Sequence, residues 1–196
     1  MKFPTITTAI SVMLSAIFIL FGPMPEALTW QSQFEISWQM VSTHFVHISG
    51  EHFAWNLVAF IILGSYLEQH SKKRLIVSLV VGLVFVNVYL LAFYPLSAYA
   101  GFSGVLNTLS VSCLFQLAQK PDYTMAAIVT FVAAIAKIMI EWMFHTAIFS
   151  SLIWPSVPEA HMAGIIGGVL ICGVSFAVHK ASKPTIGGYE STGKWL

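Results

Sequence analysis

Apolar positions fall into six runs, 6–21, 52–67, 75–94, 103–117, 123–144 and 161–178, each bounded by polar or proline-containing stretches. A helix that crosses a bilayer needs about 17–25 residues. The third and fifth runs meet that length comfortably. The second and fourth are short, which predicts helices shielded by the rest of a bundle. The pattern predicts an all-α membrane protein built as a bundle of six transmembrane helices. The first run follows Lys2 and resembles a secretory signal. It is read instead as a membrane helix, because five more runs follow and no small-residue cleavage pattern is present.

Composition agrees with that solvent. Of 196 residues 57% are apolar and 9% charged, and the mean hydropathy is +0.81. A soluble domain carries roughly 25% charged residues, so most of this surface must face lipid or other helices. A net charge of +1 leaves no basic stripe of the kind nucleic acid demands. Cys113 and Cys172 both sit inside apolar runs and are expected to be packing residues, without a disulfide or metal.

The basic residues predict an orientation. Lys72, Lys73 and Arg74 separate runs two and three, Lys120 separates four and five, Lys180, Lys183 and Lys194 follow run six, and Lys2 precedes run one. The stretches 22–51, 95–102 and 145–160 contain no Lys or Arg. Eight of nine basic residues therefore fit one topology, with both termini cytoplasmic. The long stretch 22–51 carries Trp30, Phe34, Ile36, Trp38 and Met40 and is expected to lie partly in the membrane interface. Residues 1–180 form the helical domain and 181–196 a short solvated tail.

Polar residues then collect at one depth. On this topology Ser103 opens run four, His161 opens run six, and His52 and Asn56 occupy the outer end of run two. A serine hydroxyl is a weak nucleophile until a neighbouring base accepts its proton, and histidine does this near neutral pH. Attack on a carbonyl also creates an oxyanion that needs fixed donors. His52 and Asn56, four residues apart, share a helical face and can both donate. Gly101 permits a tight entry into run four, and Gly104 permits close approach of a neighbour. His161, Gly164 and Gly168 fall on one face of run six, and small residues let membrane helices pack backbone to backbone. That face is expected to dock on run four and bring His161 to Ser103.

At His52-Phe53-Ala54-Trp55-Asn56, Gly101-Phe102-Ser103-Gly104 and Ala160-His161-Met162-Ala163-Gly164 with Gly168, the chain resembles the rhomboid family of intramembrane serine proteases. The resemblance implies a Ser–His dyad of Ser103 and His161 without a third acid, and an oxyanion role for His52 and Asn56. It implies membrane-anchored protein substrates, an integral membrane location and no cofactor. Two positions depart from the family pattern. A Trp-Arg pair common in the first loop is Trp38-Gln39 here, and a tyrosine common four residues after the serine is Asn107. The second departure leaves open what orients His161; Asn107, one turn inward of Ser103, is placed to hydrogen-bond it.

Within that family the chain looks most like the rhombosortase branch, on its minimal length, Tyr99-Ala100-Gly101-Phe102-Ser103-Gly104-Val105-Leu106 and Lys137 with Glu141. That resemblance implies a bacterial inner-membrane enzyme that cuts exported proteins near a Gly-Gly-containing C-terminal anchor. The alternatives are an inactive rhomboid-like protein that binds transmembrane helices, a small transporter, and a metalloenzyme using the histidines. A transporter is expected to show inverted repeats and midplane polar sites. His44 and His47 lack an HExxH pattern or a suitably spaced acid and are expected to serve structure, with no metal. Lys137 and Glu141 pair at i,i+4 inside an apolar helix. They are either a structural ion pair or a functional site. No motif sets an oligomeric state.

Overall fold

All six apolar runs are helices in the computed structural model, which describes residues 3–31, 36–93, 98–144 and 157–182. The long helices are α1 (Thr5–Phe21), α3 (Gly50–His70), α4 (Lys72–Phe93), α5 (Ser103–Ala118), α6 (Pro121–Phe144) and α7 (Pro158–Ser182). Between α1 and α3 lie the short α2 (Gln39–Ser42) and a 3₁₀ turn, Thr43–Phe45. The described residues contain no strand beyond a single bridge of Trp30 with Tyr99. Lys2, Phe34, residues 145–156 and residues 183–196, with Lys183 and Lys194, lie outside the described residues.

Helix lengths sort the elements. Stretches Lys72–Ala92, Pro121–Phe144 and Pro158–Val178 are long and apolar enough to cross a membrane. A fourth span results if Gln39–Phe45 and Gly50–His70, bent by 89°, are counted as one. At 16 residues α5 is only about 24 Å long, short of the roughly 30 Å hydrocarbon core. It survives because it stands in the middle: α3, α4, α6 and α7 all pack on it. Gly104, Val105, Leu106, Thr108, Leu109, Val111, Ser112 and Cys113 are buried there.

The second run is not short, contrary to the sequence expectation. Ser49 caps α3 by accepting a hydrogen bond from the His52 amide at 3.2 Å, which starts the helix at Gly50. At the other end the polar Glu68-Gln69-His70 continues it, because Glu68 has work to do on α1. Its carboxylate accepts hydrogen bonds from the amides of Ile6 and Thr7 at 3.0 and 2.8 Å and from the hydroxyls of Thr5 and Thr7. Pro4 gives α1 no side-chain cap, so a residue more than 60 positions away satisfies the amides that a helix start leaves open.

Two residues of the 22–51 stretch depart from the interfacial placement expected of them. Trp30 and Met40 turn inward and join Val86, Leu90, Tyr99, Ala160 and Ala163 in one buried cluster. Ile36 and Trp38 do project outward. Tyr99 N–H donates to the Trp30 carbonyl at 3.1 Å, and the Thr43 hydroxyl donates to the Tyr99 carbonyl. The stretch is thus pinned over the helix ends that carry Ser103 and His161.

Helices consecutive in the chain alternate in direction, so chemistry and charge separate. The starts of α3, α5 and α7 share one end, as the contacts among His52, Gly101, Ser103 and His161 require. Lys72, Lys73, Arg74, Lys120 and Lys180 belong to the α3–α4 and α5–α6 junctions and the end of α7, at the opposite end. Cys113 and Cys172 are free thiols, both buried.

Candidate active site

Gly101 sets the entry to α5. Its φ is +137°, a conformation open to glycine and costly for any residue with a Cβ. A Cβ there would also lie 2.7 Å from Cε1 of His52, so His52 rests directly on this backbone. The Gly101 amide is held by the Thr43 carbonyl at 3.1 Å. Phe102 anchors the next position, buried against Phe45 and Phe60. Ser103 therefore emerges as the first residue of α5, where backbone amides have no intrahelical acceptor and favour negative charge.

His161 comes to it from α7. Pro158, at the first helical position, suits a helix start and places His161 in the first turn. Nε2 of His161 lies 2.9 Å from Oγ of Ser103. Two glycines make this approach possible. A Cβ on Gly164 would collide with the carbonyl oxygen of Gly104, and one on Gly168 would sit 2.6 Å from Cβ of Val111. Gly104 has its own tight surroundings, with Val86 and the Ala160 carbonyl at 2.9 and 3.0 Å from a notional Cβ. Hydrogen bonds join the same helices, from the Thr108 hydroxyl to the Gly164 carbonyl at 2.8 Å and between Ser78 and Ser112 at 2.8 Å. Such bonds average about 0.6 kcal/mol in membrane proteins.

That packing makes a prediction. Gly164→Ala should lower thermal stability by roughly 1–3 kcal/mol and slow reaction of Ser103 with a serine-directed phosphonate at least tenfold, since a displaced base is costly. Gly173, on the same helix, has open space around a Cβ and its alanine variant should behave as wild type. Equal behaviour of the two variants in thermal unfolding and labelling refutes this account of the seam.

Around the pair, His52 turns its Cε1–Nε2 edge toward Gly101, two residues before Ser103. Asn56 is buried one turn further along α3, and its Nδ2 donates to the His52 carbonyl at 2.9 Å. An amide nitrogen has a second hydrogen to give. Asn107 does hydrogen-bond Ser103, but at the backbone: Nδ2 donates to the Ser103 carbonyl at 2.9 Å. It fixes the first turn of α5 and leaves the hydroxyl to His161.

His44 and His47 are buried in the wall behind. Nε2 of His44 meets Oδ1 of Asn87 at 2.9 Å, and its ring packs edge-on to Tyr99. His47 packs edge-on between His52 and Phe53. Among the described residues no three His, Cys, Asp or Glu side chains converge to hold a metal ion.

One acid near the pair was not assigned to it by sequence reasoning. Oε2 of Glu141, from the last turn of α6, lies 3.8 Å from Nδ1 of His161, while its Oε1 is 2.7 Å from Nζ of Lys137. The signal available beforehand was the i,i+4 charge pair in an apolar helix, which shows that the two residues share a face but not what that face meets.

A serine hydroxyl in hydrogen-bond contact with an imidazole, at a helix start and beside further donors, is able to attack a carbonyl and hold the resulting oxyanion. No curated protein matches the chain. Residues 35–178, which include every helix of this site, match the Rhomboid domain. With that match spanning most of the sequence, the chain belongs to the rhomboid family.

Proposed function

We propose that this protein is an active intramembrane serine endopeptidase in which Ser103 is the nucleophile and His161 its base. Rhomboid proteins are typically proteases acting on membrane-protein substrates within the bilayer, and the observation that carries the reading to this member is the 2.9 Å contact of Ser103 Oγ with His161 Nε2. As Oγ bonds to the scissile carbonyl carbon, its proton passes to Nε2. The imidazolium then protonates the leaving amine as the C–N bond breaks, and water repeats the sequence on the acyl-enzyme. His52 and Asn56, with the first amides of α5, stabilise the oxyanion. Gly101, Gly104, Gly164 and Gly168 keep the helices close enough for this geometry. A helix-binding protein without activity has no need of a hydroxyl held against a base, and is the less favoured reading.

The proposal extends to topology and substrate. All six long helices belong to the bilayer, with both termini cytoplasmic and the site near the outer face of a bacterial inner membrane. The gathering of Lys72, Lys73, Arg74, Lys120 and Lys180 at the end opposite Ser103 supports this orientation. Its substrate is an exported protein with a C-terminal Gly-Gly-containing anchor, as in the rhombosortase branch. Physics favours such a sequence, because a transmembrane helix hides its carbonyls in its own hydrogen bonds. Glycine, with a helix cost of about 1 kcal/mol relative to alanine, lets the outer end unwind into the site.

Purified wild type should cut an anchor peptide near its Gly-Gly pair, and Ser103→Ala should not. Replacing both glycines by leucine should stop processing. If the leucine peptide is processed equally, with mass spectrometry placing the cut elsewhere, the substrate assignment is wrong while the protease reading stands.

A further inference from the structure

A base that accepts the Ser103 proton through Nε2 must carry its own proton on Nδ1, because neutral imidazole has one donor and one acceptor nitrogen. An acceptor for that Nδ1 proton would fix the tautomer and the ring. Asn107, at the position where the family often has tyrosine, is committed as a donor to the Ser103 carbonyl. Glu159 is two residues from His161 on the same helix, and such pairs do not face each other. Glu141 does face it, from α6: its side chain is 2% exposed and Oε2 lies 3.8 Å from Nδ1.

We propose that Glu141 is a positioning acid for His161, and that Lys137 holds it in place. The inference rests on the serine-protease reading above. Four side chains then form one line, Lys137 Nζ to Glu141 Oε1 at 2.7 Å, Glu141 Oε2 to His161 Nδ1 at 3.8 Å, and His161 Nε2 to Ser103 Oγ at 2.9 Å. A buried carboxylate is costly without a countercharge, and Lys137, with its side chain one-third exposed, supplies it from one turn earlier. The 3.8 Å separation exceeds a hydrogen bond by about 1 Å. Catalytic hydrogen bonds are commonly long in unliganded sites and tighten with substrate bound. In the reaction Glu141 takes no proton. It accepts the Nδ1–H hydrogen bond, selects the tautomer with a bare Nε2, and favours the imidazolium that forms when Ser103 gives up its proton.

The test uses the full-length protein and a fluorophosphonate, whose phosphorus bonds to Ser103 Oγ as fluoride leaves and the proton passes to His161. This reaction needs an activated serine and no knowledge of the substrate. Glu141→Gln should lower the limiting labelling rate by up to about 10⁴-fold, the cost seen when a triad acid is lost. The half-saturating reagent concentration should not change. Glu141→Asp, which keeps a carboxylate, should recover part of the rate. The double variant Lys137→Met with Glu141→Gln removes both charges and should remain slow at equal folded fraction. It also carries the test should Glu141→Gln alone fail to fold. A wild-type rate in Glu141→Gln, or its return in the double variant, shows that Glu141 only neutralises Lys137 and overturns the proposal. Ser103→Ala run alongside separates the two ideas. If wild type itself does not label at Ser103 the protease reading fails, whereas a slow Ser103→Ala beside a wild-type-like Glu141→Gln removes only the role of Glu141.

Discussion

Ser103→Ala and His161→Ala should each reduce the proposed proteolysis to background, a loss on the order of 10⁶-fold as in a serine protease whose nucleophile and base act as a unit. The two side chains share one hydrogen bond, so the double variant should be no worse than either single. Neither change should unfold the protein. Both side chains are only partly buried, and the α5–α7 seam is held by Gly164, Gly168 and the Thr108 hydroxyl rather than by this contact. Cleavage of an anchor peptide and thermal unfolding, measured on the same preparations, check both halves. Near-wild-type cleavage by either variant sinks the assignment.

The second large effect is expected at the proposed oxyanion donors. His52→Ala and Asn56→Ala should each lower kcat by about 10²–10³-fold, the cost of removing one such donor elsewhere, with KM little altered. They differ in what else they disturb. His52 rests on Gly101, so its loss opens space beside the entry to α5. Asn56 is buried and back-bonded to the His52 carbonyl, so its loss also releases the residue that carries the other donor. The double variant should therefore cost less than the product of the singles. Full turnover in both singles and the double would show these residues to be scaffolding. A raised KM with normal kcat would instead assign them to substrate binding.

The legibility of this protein divides along a physical line. The positions of the six long helices could be read because lipid offers no partner for backbone polar groups, so helices in an apolar setting appear as continuous apolar runs. Ser103, His161, His52 and Asn56 were visible for a related reason: in so apolar a chain, polar residues at equivalent helix ends stand out, and alternation of direction along the chain brings the starts of α3, α5 and α7 to one depth. The glycine face of α7 was readable from its spacing, since residues four apart share a face.

What the tertiary structure alone decided concerns what each face meets. Glu68 looks like a junction residue in the sequence, yet it caps α1 across more than 60 positions. Trp30 and Met40 look like an interfacial belt, yet they are buried against Tyr99 and Ala160. Lys137 and Glu141 look self-contained as an i,i+4 pair, yet α6 turns that pair toward His161. In each case the local pattern establishes a helix and a shared face, which depend on neighbours within a few residues. The partner of that face comes from a segment far along the chain, and only the packed bundle brings the two together.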